Sequence, residues 1–247
     1  MRRAIPHRTR FPWSSTILPV RSGQDERHRD RVGAIVLDSS NALSTTLLDD
    51  ITRTAKSFDM GLGRFFDACA RDASSKLHAA DAASVAARYD ALMAQIASTP
   101  SGIPAGARSL SSVDAQAAVA SGLRSANWTK LASDLAAAES GDGSSLLASA
   151  DVAAGRGVDG RYDDSFVTHL AIGCLDQPLP PDLTLQAFAA FASDLRASTP
   201  RAGSEAVLPW ALCTQWPWRR AVAPQAIAAQ RAPPLLLVSG RYDAITS

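Results

Sequence analysis

The closing stretch of the chain, Ala232 to Ser247, reads APPLLLVSGRYDAITS and places a carboxylate, Asp243, three residues after Gly240. A carboxylate in a tight polar turn at a strand's carboxyl end sits where open α/β sheets gather ligands and catalytic groups. The same residues also describe a strand that stops at a surface turn, and the segment alone leaves both readings open. The element that must position Asp243 is Leu235 to Val238, an apolar run punctuated by Pro233 and Pro234 and suited to a buried parallel strand. Gly240 offers the turn backbone angles closed to other residues.

Other side chains with chemistry do not converge. His7, His28, His78 and His169 all precede Asp243 and read as surface or satisfied histidines. Cys69, Cys174 and Cys213 are too few and too dispersed for a zinc site or a CxxC redox pair, and an odd count leaves at least one thiol free. Asp49 with Asp50 and Asp163 with Asp164 are neighbours in sequence. Adjacent residues do not share a helix face, so solvated surface explains them better than a metal site. Gly61 and Gly63 follow no strand and precede no Lys-Ser/Thr pair, which excludes a phosphate loop. Trp210, Trp216 and Trp218 suit stacking on a sugar or peptide, but packing between layers is the better reading. No cofactor and no metal are expected.

Composition narrows the partners. The chain has 247 residues, 46% of them hydrophobic, with 25 basic and 24 acidic side chains and a formal charge of +1. Nothing global points to nucleic acid. No apolar run is long enough to span a bilayer, and the twin Arg2–Arg3 has no continuous apolar stretch behind it to make a signal peptide. Arg2, Arg3, Arg8, Arg10, Arg21, Arg27, Arg29 and Arg31 crowd the first part, and Pro12 and Pro19 interrupt it. Residues 1–30 therefore read as an irregular basic N-terminus, with at most a short extended piece from Ser15 to Val20.

Val32 to Ser40, VGAIVLDSS, repeats the layout of the closing strand: apolar first, then Asp38 and serines. Both strands would be interior and parallel. Between them lies helix. Ser44 or Thr45 caps a helix through Leu47, Leu48, Ile51 and Ala55 to about Phe58, broken by Gly61 and Gly63, with another beginning at Phe65. Asp81 to Ala97 carries one apolar stripe through Val85, Tyr89, Leu92, Met93 and Ile96. Pro100 to Pro104 is a loop. Ser112 to Leu123, a helix capped by Asn127, Phe166 to Cys174, and Thr184 to Arg196 continue the helical span, the last with Leu185, Phe188, Phe191 and Leu195 on one side. Trp210 to Trp218 is dense in aromatics and short of helix signals. The fold class is α/β. A few parallel strands, with residues 31–42 and 232–247 as the sheet, carry a large, mainly helical insertion of residues 43–231 between strands 32–38 and 234–239.

The segments DRVGAIVLD (Asp30–Asp38), FFDACA (Phe65–Ala70), Trp128 with Leu131 and Ala132, AIGCLD (Ala171–Asp176), CTQWP (Cys213–Pro217) and finally Gly240, Asp243 and Thr246 occur in that order. In this order they resemble the α/β-hydrolase fold, and within it the tripeptidyl-aminopeptidase and proline-iminopeptidase-like serine hydrolases of actinobacteria. The resemblance implies that Asp243 is the triad acid, orienting a histidine and stabilising its protonated form. It also implies a Cys174–Cys213 disulfide tying the cap to the approach of the last strand. Cys69 occupies a family cysteine position, but Ser74 and Ser75 stand where its partner is expected. The substrate would be a peptide or a small ester, and the family is often exported. The chain as written would stay in the cytoplasm.

Two departures follow from the same comparison. The family's spacing puts the nucleophile near Ser15, within FPWSSTILP, where no glycine lies two residues to either side to form the GxSxG turn. No glycine-rich oxyanion loop precedes it, and no histidine follows Asp243. The expectation is a fragment of a serine hydrolase, foremost an exopeptidase whose cap admits chain ends, holding only the acid of its triad and inactive as written. The alternatives are a non-catalytic helical interaction module or remnant, and an esterase-type acyl hydrolase on the same scaffold.

Overall fold

A computed structural model describes residues 14–15, 35–39, 46–125, 127–176, 179–180, 183–201, 206–218 and 235–243. The first arginines, His7, His28, Pro178, Pro181, the 224–230 segment and Thr246 lie outside the described residues. Three strands run parallel: β1 (Ser14–Ser15), β2 (Ile35–Asp38) and, late in the chain, β5 (Leu235–Val238). Their order is β1-β2-β5, with Ser15 opposite Leu37 and Asp38 opposite Val238. The β-branched and leucine runs form the two longer strands, as their composition requires. Ser14–Ser15 departs from the irregular N-terminus read above. Two serines carry no apolar period, so only the neighbouring β2 backbone reveals them as strand. Interior burial is not seen for β5: Leu236 is 58% and Leu237 65% exposed. A run that is apolar on both faces calls for cover on both, and the described residues supply little of it.

Between β2 and β5 the backbone is helical, and most helices start where a side chain can accept an orphan amide. Helix α1 (Leu47–Arg71) opens with a capping box in which Thr46 and Asp49 satisfy each other's backbone N–H groups. It does not break at Gly61 or Gly63. Glycine costs about 1 kcal/mol inside a helix, whereas Phe58, Leu62, Phe65, Phe66 and Cys69 are all buried along this stretch. Burying one such side chain contributes about 1.5–3 kcal/mol, so the apolar stripe outweighs two glycines. Asp81 caps α2 (Ala82–Ser98).

Residues around Pro104 form a hairpin, not a loop: β3 (Ile103–Ala105) pairs antiparallel with β4 (Arg108–Leu110). Gly106, at φ 66°, makes the first position of its two-residue turn, a place that demands glycine. Ser111 and Asp114 box the start of α3 (Ser112–Arg124), and Asn127 caps α4 (Trp128–Glu139). Then come α5 (Ser144–Ala153), α6 (Ser165–Asp176) and α7 (Leu185–Ser198), the last capped by Thr184. A 3-10 helix, Leu208–Gln215, replaces the irregular segment expected around Trp210.

Two apolar clusters result. The first joins the carboxyl half of α1 with α2, the hairpin and α3 to α5, through Phe65, Leu92, Leu110 and Leu135 among others. The second joins Leu47, Ile51 and Ala55 at the amino end of α1 with Leu170, Cys174, Phe188, Leu195 and Cys213. Helix α1 therefore belongs to both. On α7, Phe188 and Leu195 are buried as expected, but Leu185 is 53% exposed in the first turn. Charged groups pin the layers. Arg201 meets both oxygens of Asp90 at 2.8 and 2.9 Å, and Arg88 meets both of Glu139 at 3.2 and 2.6 Å. Buried Asp134 accepts from Lys130, Ser145 and Ser149, so its charge is fully partnered.

Candidate functional site

Because β1, β2 and β5 are parallel, Ser15, Asp38 and the turn after Val238 share one edge of the sheet. This is the carboxyl edge, where the site of an α/β sheet forms. Beyond Val238 the chain turns tightly, and the Asp243 N–H donates to the Gly240 carbonyl at 3.1 Å. Asp243 itself is half-buried. Gly240 does not use the left-handed region, and a Cβ there would meet Asp243 Cβ at an ordinary 3.6 Å. The unusual backbone lies instead on the neighbouring strand end. Ser39 has φ 54°, the one non-glycine residue among those described with positive φ. Its N–H donates to the Val238 carbonyl at 2.8 Å and its hydroxyl to Asp38 Oδ1 at 3.2 Å. An Asp-Ser-Ser turn is compatible with this conformation but does not announce it.

A second relationship reaches the turn from the helical layer. The Arg64 guanidinium lies 3.7 Å from the centroid of the Tyr242 ring, directly before Asp243. No local pattern connects residues so far apart in sequence.

The remaining candidates fall elsewhere. His78 Nδ1 lies 3.3 Å from the Cys69 carbonyl, and the exposed His169 ring lies 5.6 Å from Trp210. Both contacts are internal to the helical insertion. Cys174 and Cys213 are bonded, S–S 1.93 Å with Cα atoms 5.3 Å apart, joining α6 to the 3-10 helix. Cys69 is free and buried, and burial pushes its thiol above the ordinary range, so it is poorly poised as a nucleophile. Asp49 serves the α1 cap, Asp50 pairs with Arg53, and Asp163 accepts from Ser165. No group of three metal-ligating side chains occurs among the described residues. Trp210 and Trp216 pack against the second cluster, while Trp218 is exposed and meets Trp216 edge-on at 6.0 Å. No described helix is long and apolar enough to cross a membrane.

No family model matches the chain. It is 29% identical over 229 residues, 90% of its length, to a protein of Mycobacterium tuberculosis named carboxylesterase B. It is 28% identical over 240 residues, 91% of its length, to serine protease Hip1 of the same organism. A Mycobacterium bovis protein, also named serine protease Hip1, matches to the same extent. The chain spans 43% to 45% of the length of these relatives. One is an esterase by name and two are serine proteases, and the similarity supports a serine hydrolase relationship.

Proposed function

We propose that this chain supplies the acid and the cap of a serine hydrolase of the α/β-hydrolase fold. Residues 31–42 and 232–247 form its part of the sheet and residues 43–231 its cap. Asp243 is the acid that holds a histidine in the productive tautomer and stabilises its positive charge. The observation that carries the reading is the turn Gly240–Asp243 at the carboxyl end of a parallel strand, beside β2 and following a helical insertion. Ser15, at the end of β1, holds the nucleophile's place without glycines at positions 13 and 17. A serine without the strained GxSxG turn lacks the activation of a nucleophile elbow, so on this reading the chain is inactive. The substrate is a peptide entered from its chain end, as in the tripeptidyl- and proline-aminopeptidase-like enzymes. The similarity to carboxylesterase B favours ester cleavage as the second reading.

A hybrid tests this: residues 30–247 replace the matched segment of carboxylesterase B and turnover is followed on aminoacyl p-nitroanilides and p-nitrophenyl esters. Anilide cleavage is expected, and Asp243→Asn should lower kcat by about 10⁴-fold. Cleavage of esters alone selects the second reading. An Asp243→Asn hybrid within tenfold of its parent would sink the assignment. The chain alone should leave a fluorophosphonate probe unreacted, and a labelled serine would overturn its inactivity.

A further inference from the structure

We infer that Arg64 is a positioning residue for Asp243, acting through the ring of Tyr242; this rests on the reading of Asp243 as the acid of a hydrolase. Arg64 projects from a part of α1 that cannot move easily, since its neighbours Phe65 and Phe66 are 0% and 2% exposed in the first cluster. Its guanidinium covers the Tyr242 ring at 3.7 Å from the centroid. Leu236, Leu237 and Val238 are exposed, and among the described residues the last sheet bond before the turn is Ser39 N–H to the Val238 carbonyl. After Val238, the Asp243 to Gly240 turn bond and the Arg64–Tyr242 stack are two of the contacts that shape the path of the backbone.

Tyr242 and Asp243 are joined by one planar peptide, so holding the ring narrows the positions open to the Asp243 backbone that carries the carboxylate. A guanidinium over a ring is directional, unlike an exposed ion pair, and it draws the turn toward α1. Arginine suits the role because its plane can stack on an aromatic face. The first helix of the insertion thereby reports its position to the acid, and displacement of α1 would release the turn. An exposed stack shifts the population of the held turn by roughly two- to fivefold.

Nuclear magnetic resonance and amide exchange on the full chain test the device without relying on activity. In the wild type and in Tyr242→Phe, ring current should move the Arg64 side-chain protons upfield. In Tyr242→Leu they should return to ordinary positions. The Asp243 amide should exchange about two- to fivefold faster in Tyr242→Leu and in Arg64→Met, and return toward the wild-type rate in Arg64→Lys. Arg64 and Tyr242 are both exposed, and an unchanged helical circular dichroism signal checks that the fold persists. Unshifted Arg64 protons in the wild type, or unchanged Asp243 exchange in Tyr242→Leu, would overturn the inference. Asp243→Asn should keep the ring-current signature. If the hybrid enzyme is indifferent to Asp243→Asn while the signature stands, the catalytic reading fails alone; if the signature is missing while Asp243→Asn abolishes turnover, the positioning role fails alone.

Discussion

A Cβ atom on Gly173 would fall 2.4 Å from Cζ3 and 2.5 Å from Cη2 of Trp210, so the bare backbone of α6 is what admits the indole. The next residue, Cys174, is bonded to Cys213 on the same 3-10 helix that carries Trp210. Neither partner can retreat far without disturbing the bond between them.

Gly173→Ala should therefore destabilise the protein. Overpacking costs about 1–3 kcal/mol, against a gain of about 1 kcal/mol in helix propensity, leaving a net loss of up to about 2 kcal/mol. In a Trp210→Leu background the clash is gone and the sign should invert, because only the propensity gain remains. Urea unfolding of the four proteins of this cycle measures the coupling. Additive effects would show that the ring and the glycine do not meet.

The Cys174–Cys213 bond closes a loop with a sequence separation of 39. Loop-closure entropy for that length corresponds to about 4 kcal/mol of stabilisation. Replacing both cysteines by serine should lower the thermal midpoint accordingly. Cys69→Ser in both proteins keeps the buried thiol from exchanging. The loss should concentrate in the second cluster, so amide protection should fall in α6 and the 3-10 helix while α3 to α5 keep theirs. Equal loss in both clusters would mean that they unfold as one unit.

Much of this architecture is legible locally. The strand Leu235–Val238, the cap at Asn127 and the stripe of α2 stand in the structure where residue types and periods place them. What is not legible is decided by partners. Glycines 61 and 63 are weak breakers that a buried stripe overrides, and Ser14–Ser15 is extended because β2 lies beside it. The hairpin at Gly106 was within reach, since alternation around a Gly-x turn predicts it, but the prolines at 100 and 104 pointed to a loop. At the candidate site, the turn bearing Asp243 follows from the strand before it. The contact between Arg64 and Tyr242 does not, because it depends on how α1 packs against the rest.

Several carboxyls are held below their usual range by local hydrogen bonds. Asp49 is lowered first by Thr46, Asp72, Asp142 and Asp163 by the hydroxyls of Ser74, Ser144 and Ser165, and Asp81 by the Ser84 backbone N–H. A depressed carboxyl contributes stability that is present above its unfolded pKa, about 3.9, and that is lost as pH falls through the folded value. The urea midpoint should thus be flat from pH 7 to about 5 and fall below about pH 4. Asn caps a helix nearly as well as Asp but does not titrate. Asp81→Asn combined with Asp163→Asn should leave the neutral midpoint little changed and make the acid decline shallower. An acid decline as steep as that of the wild type would show that other groups govern it.

Ser39 holds φ at 54° while its N–H reaches the Val238 carbonyl at 2.8 Å, so the bond that joins β2 to β5 at the candidate site is made from a strained backbone. For an L-residue the left-handed region costs about 1–2 kcal/mol. Glycine avoids that cost but gives up about 0.5–1 kcal/mol through the freedom of its unfolded chain. Ser39→Gly should therefore raise stability by roughly 0.5–1 kcal/mol and keep the bond to Val238. Ser39→Val adds a branched side chain that the region tolerates poorly, and it should lower stability by more than Ser39→Gly raises it. Strain that persists where a stabilising glycine is available is a mark of functional edges. If Ser39→Gly stabilises the sheet, the same substitution in the hybrid hydrolase should show whether that strain serves turnover: a lower kcat with a higher thermal midpoint would tie Ser39 to the site, and an unchanged kcat would leave it as a local cost of the turn.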